Sequence, residues 1–182
     1  MPLTLRIGAP GTWLGLLAIV GLGLGAVHAQ AVPEAEVKAA FIRRFPDFVT
    51  WPDPAMDRRA PVTVCLSPAH PFGTSVQQAA KGTGPNGRPV TVRELRRGER
   101  PDGCHALFVA RADHDLLSRA QTLPILTVGD QTDFCQIGGI VNLRVVDNRV
   151  RFEINPRQAQ RVGLSIDSQL LRLAIRLHER RP

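Results

Sequence analysis

Apolar and polar residues alternate from Val62 to Ser67, with Val62, Val64 and Leu66 set against Thr63, Cys65 and Ser67. A period of two is that of a strand with one buried face. The stretch RPVTVREL, from Arg88, reads the same way. CHALFVA (104–110) and PILTVGD (124–130) are short apolar runs, as expected of strands covered on both faces. Upstream, the segment 34–50 places Val37, Phe41, Phe45 and Phe48 at helical spacing, with Arg43 and Arg44 on the other side. Pro46 lacks an N–H and crowds the preceding turn, so it predicts a kink or an end there. Phe72–Lys81 and Asp113–Gln121 predict two short helices, the second capped by Asp113. The loops 53–61 and 82–88 are rich in Pro, Asp and Gly.

The last third has a different pattern. GGIVNLRV and RVRFEIN flank Val146-Asp147-Asn148, which predicts a hairpin. Val150, Phe152 and Ile154 face one way, and Arg149, Arg151, Glu153 and Asn155 the other. Gly138-Gly139 permits a tight turn into the hairpin. Pro156 suits the first turn of a helix capped by Asn155 and ended by Gly163. Asp167–Arg180 predicts a final helix with Leu170, Leu173, Ala174 and Leu177 as its apolar stripe and Arg172, Arg176 and Arg180 outside. Strands alternating with short helices predict one three-layer α/β domain. Its sheet is mainly parallel, flanked by helices, with a late antiparallel hairpin.

The amino terminus changes where this domain is expected to work. Arg6 precedes an uncharged apolar run from Trp13 to about Val27, which ends in Val27-His28-Ala29. That tripartite pattern predicts a signal peptide over residues 1–29, cleaved near Ala29, and a mature domain over 30–182. The competing reading is an uncleaved anchor, but five glycines from Gly11 to Gly25 interrupt a run that would need about 20 apolar residues.

Charge and cysteines follow from that compartment. The formal charge of +7 becomes +6 once Arg6 is removed, and Lys38 and Lys81 are the only lysines. A basic surface of this kind meets anionic partners or is simply dispersed and solvated. Export excludes nucleic acid as the expected partner. Cys65, Cys104 and Cys135 are an odd count, which in an oxidising space points to one bridge and one free thiol.

Catalytic signatures are absent from the sequence. No serine lies in GxSxG, no HExxH or CxxC occurs, and 82–88 is not a phosphate loop. His114 between Asp113 and Asp115 reads as a helix start dressed with acids. No catalytic residue, metal ligand or cofactor is expected.

Seven segments together resemble the YfiR family. They are VKAAFIRRFPDFVTWP (37–52), VTVCL (62–66), GRPVTVREL (87–95), CHALFVA (104–110), PILTVGD (124–130), FCQIGGIVNL (134–143) and RFEINPRQAQRVGLSIDSQLLRLA (151–174). They span nearly the whole mature chain in order. The resemblance implies a non-enzymatic periplasmic regulator that binds the periplasmic region of an inner-membrane diguanylate cyclase. It would repress that cyclase, lowering cyclic di-GMP and biofilm formation in response to envelope or redox state. It also implies a disulfide between Cys65 and Cys104 and a tendency to form a homodimer. A second family bridge would begin at Cys135, but Asn142 stands where its other cysteine is expected, leaving Cys135 a free thiol or an intermolecular link. Family members often carry Tyr or Lys where Arg43 and Arg44 stand, so this helix is unusually basic. Arg43, Arg44, Glu153 and Arg157 project from the matching segments as the expected contact surface. The alternative is a periplasmic module that binds an anionic envelope component, such as a cell-wall fragment, or a small metabolite, and feeds a sensor kinase.

Overall fold

The computed structural model describes residues 32–53, 60–81, 87–111 and 113–179. The predicted leader 1–29, most of the loops 53–61 and 82–88, and Arg180 lie outside the described residues. Helix α1 (Glu34–Arg44) gives way at Phe45 to a 3-10 turn (Phe45–Phe48) with Pro46 near its start, then to β1 (Val49–Thr50). Next come β2 (Val62–Leu66), α2 (Ser75–Ala79), β3 (Val90–Glu94), β4 (Ala106–Phe108), α3 (His114–Ala120) and β5 (Leu126–Gly129). The hairpin of β6 (Val141–Val146) and β7 (Arg149–Ile154) is followed by α4 (Pro156–Arg161), β8 (Ser165–Ile166), α5 (Ser168–Leu173) and β9 (Arg176–Leu177).

The main sheet has the order β3-β2-β4-β5-β6-β7-β9, and β1 pairs antiparallel with β8 in a small second sheet. Strands β3, β2, β4, β5 and β6 are mutually parallel, and β6–β7 is the antiparallel pairing within this sheet among the described residues. From β2 the chain moves outward to β3, then returns to the other side of β2 to lay down β4. The order therefore reverses between β2 and β4, as in doubly wound α/β sheets.

Each face of the sheet has its own core. One holds Ile42 and Phe45 of the first helical segment, Val76 of α2, Ala159 of α4 and Leu170 of α5, against Val64, Phe108, Val128 and Phe152. Phe45 meets Phe152 edge-on with ring centroids 5.3 Å apart. Burial of each such ring stabilises the fold by about 1.5–3 kcal/mol. The other core holds Leu116, Leu117 and Ala120 of α3 with Cys65, Cys104, Leu107 and Phe134.

The local caps form as the residues predict. Asp113 accepts from the Leu116 amide and Asn155 from the Gln158 amide. Asp147 and Asn148 adopt φ of 48° and 56° between the paired residues Val146 and Arg149. Two left-handed residues are what a two-residue hairpin loop requires. Gly138 has φ +97°. Gly139 has a further role: a Cβ there would collide with the Phe134 ring, as would one at Gly129. Phe134 is seated between the two glycines.

The final helix is a correction. Helix α5 ends at Leu173, and Ala174 is extended (φ −67°, ψ 135°). The chain then pairs with the edge of β7, with the Ile175 amide bonded to the Phe152 carbonyl and the His178 amide to the Ile154 carbonyl. Edge carbonyls of β7 that would otherwise lack strand partners are thus satisfied. Leu173 stays 66 % exposed and Leu177 38 % exposed, so the expected apolar stripe does not form as one buried face.

Candidate functional site

Position 65 lies within β2, opposite Arg93 of β3 in the parallel ladder, and Cys104 lies just before β4. Cys65 pairs with Leu107 in the β2–β4 ladder, and it is Cys104, three residues earlier, that bonds to Cys65 in a disulfide with a Cα–Cα distance of 5.7 Å. Arg93 lies over the bridge, held by Glu99 at 3.1 Å and donating to the Asp102 carbonyl at 2.8 Å.

A groove of about 1380 Å³, lined mainly by polar side chains, lies between α4, β9 and the turn before β6. His178 is part of its lining and is joined at 2.9 Å to Glu153, both mostly buried. Gln158 donates to the Gln121 carbonyl, and Asn155 to the Cys135 carbonyl, fixing the wall. Arg157 donates to the Glu179 carbonyl at 3.2 Å. Arg161 and Arg176 complete the rim. Chemically, the groove can hold an acidic polar group between guanidinium ions and amide side chains.

Cys135 also borders this groove but is only 2 % exposed and unbonded to another cysteine. Burial, with the Glu153 carboxylate adding to it, pushes its thiol up to about 12 against a small opposing pull from the Asn142 backbone. The thiol therefore stays protonated at ordinary pH, and its burial disfavours an intermolecular bridge. Asn142, opposite Glu153 in the β6–β7 ladder, is fully buried, and neither its amide nitrogen nor its oxygen has a hydrogen-bond partner among the described residues.

The four expected contact residues separate into two places. Phe152 packs against the first helical segment, so Glu153, its neighbour on an alternating strand, faces the opposite side of the sheet. Arg43 and Arg44 lie on α1, each 3.0 Å from the Asp47 carboxylate, while Arg157 lies at the groove. Arg44 and Arg157 are exposed. Arg43 at 8 % and Glu153 at 7 % exposure are buried, which corrects the expectation that all four project to solvent. Each buried charge has a partner nearby, Asp47 or His178, and that pairing allows the burial. The sequence reading missed Arg161, Arg176 and His178 as neighbours of Arg157. Arg161, one helical turn beyond Arg157, was the available signal.

Also on α1, Lys38 is buried at 2.8 Å from Asp130 and 2.7 Å from Glu34. Burial pulls its pKa down, but the two carboxylates outweigh that and raise it overall. Among the described residues no group of three or more His, Cys, Asp or Glu is placed to hold a metal ion. No described helix is long and apolar enough to cross a membrane.

These features define a disulfide-stapled, doubly wound α/β domain with a polar groove on one face. The chain belongs to the YfiR/HmsC-like family, whose profile matches residues 35–175. At family level this is a periplasmic regulator of diguanylate cyclase, regulatory rather than catalytic, that works with a membrane-bound cyclase. A search of curated proteins found no match.

Proposed function

We propose that the exported chain binds the periplasmic region of an inner-membrane diguanylate cyclase and holds it inactive, lowering cyclic di-GMP and biofilm formation. The family match over residues 35–175 carries this reading. The predicted leader 1–29 supports it, because export would put the domain outside the cytoplasm. The exposed arginines Arg44 and Arg157 are the proposed contacts, with Arg43 and Glu153 holding the surface beneath them. Assembly as a homodimer is part of the same proposal. The test is retention of the purified periplasmic region of a cyclase from the same genome on the immobilised protein. Wild type should retain it, and a double substitution Arg44→Glu and Arg157→Glu should weaken retention at least about tenfold, as loss of charged contacts does. Equal retention by both would remove the proposed contacts, and none by wild type would remove the interaction.

The groove favours a second reading, a module that binds an anionic envelope component and feeds a sensor kinase. Arg157, Arg161 and Arg176 would supply the charge. Binding of acidic peptidoglycan fragments should then weaken as salt screens the guanidinium ions. Dissociation constants that stay flat across ionic strength would count against it.

A further inference from the structure

In open α/β sheets, ligands bind in the crevice beyond the carboxyl ends of the strands, where the strand order reverses. Here that point lies beyond Leu66 of β2 and Phe108 of β4. A crevice of about 420 Å³ occupies it. It shares no lining residue with the larger groove.

Its construction is specific. The Ser67 hydroxyl accepts from the Ala110 amide at 2.8 Å, tying together the two chains that leave β2 and β4. Ala69 then takes φ +59°, a left-handed conformation that costs a non-glycine residue roughly 1–2 kcal/mol. Strain of this kind gathers at ligand clamps. Pro68, Phe108 and Ala110 give the crevice an apolar wall, and Arg97 and Arg111 stand in its lining.

The charges are unequal in what they have left to offer. Asp113 is committed to the Leu116 amide of α3. The Asp130 carboxylate lies between Lys38 at 2.8 Å and the Arg111 Nε at 3.8 Å, and its backbone carbonyl accepts from Arg111 at 3.1 Å. Arg97 has no partner among the described residues, while Arg111 has one N–H in a hydrogen bond and its Nε 3.8 Å from the Asp130 carboxylate. Arg97, the charged lining residue with no such commitment, is cationic. The volume falls within the range of small-molecule sites.

We infer that this crevice binds a small organic anion, a carboxylate or phosphate monoester carried on an apolar ring-sized body. Its anionic group lies between Arg97 and Arg111, and its body lies against Phe108, Pro68 and Ala110. This goes beyond the proposed repression and does not depend on which cyclase is the partner.

The test is a titration of the isotope-labelled protein, purified after export, followed by amide chemical shifts. The probes are phenyl phosphate and benzoate, with inorganic phosphate and benzyl alcohol as halves of the ligand. At least one of the two anions should saturate, shifting Ala69, Ala110 and Arg111. Each half alone should bind at least about tenfold more weakly. Both arginines are exposed, so Arg97→Gln and Arg111→Gln should leave the spectrum folded and each weaken binding about tenfold or more, the loss expected for a charge-assisted hydrogen bond. Arg97→Lys should recover part of it. No saturable shift with either anion, shifts confined to Arg157, Arg161 and Arg176, or affinity unchanged in both Gln variants would overturn the inference.

Discussion

The Arg93 guanidinium lies 3.3 Å from the Cys104 sulfur and 3.7 Å from that of Cys65. Reduction of the bridge must develop thiolate charge beside this cation, which stabilises a departing thiolate. Arg93 is partly exposed, so water screens the effect. Arg93→Gln should slow reduction by dithiothreitol about two- to fivefold, measured by thiol release under native conditions. An equal or faster rate in the variant would show that the cation does not assist the step.

The bridge spans a sequence separation of 39 residues. By chain entropy this is worth about 4 kcal/mol of stability. Cys65→Ser with Cys104→Ser should lower the urea midpoint accordingly. A change below about 1 kcal/mol would mean that the reduced chain is held by its sheet alone.

Cys135 predicts the opposite chemistry. Its thiol, raised to about 12 and nearly sealed, should resist iodoacetamide at pH 8 in the native protein and react fully in denaturant. Asn142→Cys would place a second thiol where the family resemblance expects one, in a chain whose native residue there is buried and unsatisfied. Thiol counting by mass spectrometry should find Cys135 oxidised in that variant. Two free thiols would contradict the placement.

His105 gives a pH dependence with a definite sign. Its Nδ1 accepts from the Thr63 amide at 2.9 Å, an interaction only the unprotonated nitrogen makes. Burial, and then the charge of Arg88, lower its pKa from 6.5. The unfolded chain then binds more protons in that range, so stability is full above pH 6.5 and falls as pH drops below it. His105→Asn should flatten this dependence between pH 7 and 5 in thermal melts. An identical slope would remove His105 as its source.

Gly139 makes a packing prediction. Gly139→Ala must displace the Phe134 ring and should cost at least about 1 kcal/mol. Combined with Phe134→Ala, the two losses should fall short of their sum, because the smaller side chain removes the collision. Strict additivity in denaturant unfolding would contradict the seating of Phe134.

Much of this fold is legible locally. Asp113, Asn155 and the Asp147–Asn148 turn act through bonds to residues a few positions away, so the sequence around each is sufficient. The C-terminal segment is not local in this sense. Leu170, Leu173, Ala174 and Leu177 have helical spacing, yet the vacant edge of β7, 23 residues upstream of Arg176 at Glu153, draws the chain into β9. The same limit hid the site. Arg157 is visible in the sequence, but its proximity to Arg176 and His178 follows from that strand pairing. Likewise, the crevice between β2 and β4 exists only once the strand order is known. Glu153 reads as a surface charge because its partner His178 is 25 residues away and meets it only in the folded geometry, whereas the Arg43–Asp47 pair at i,i+4 is open to a local reading.

The central claim is repression of a cyclase from outside the inner membrane. It is tested most directly by cellular cyclic di-GMP in a deletion strain complemented with either the whole chain or one lacking residues 1–29. Deletion should raise cyclic di-GMP, the whole chain should restore the low level, and the leaderless chain should leave it high. Unchanged cyclic di-GMP on deletion, or equal rescue by the leaderless chain, would contradict the account.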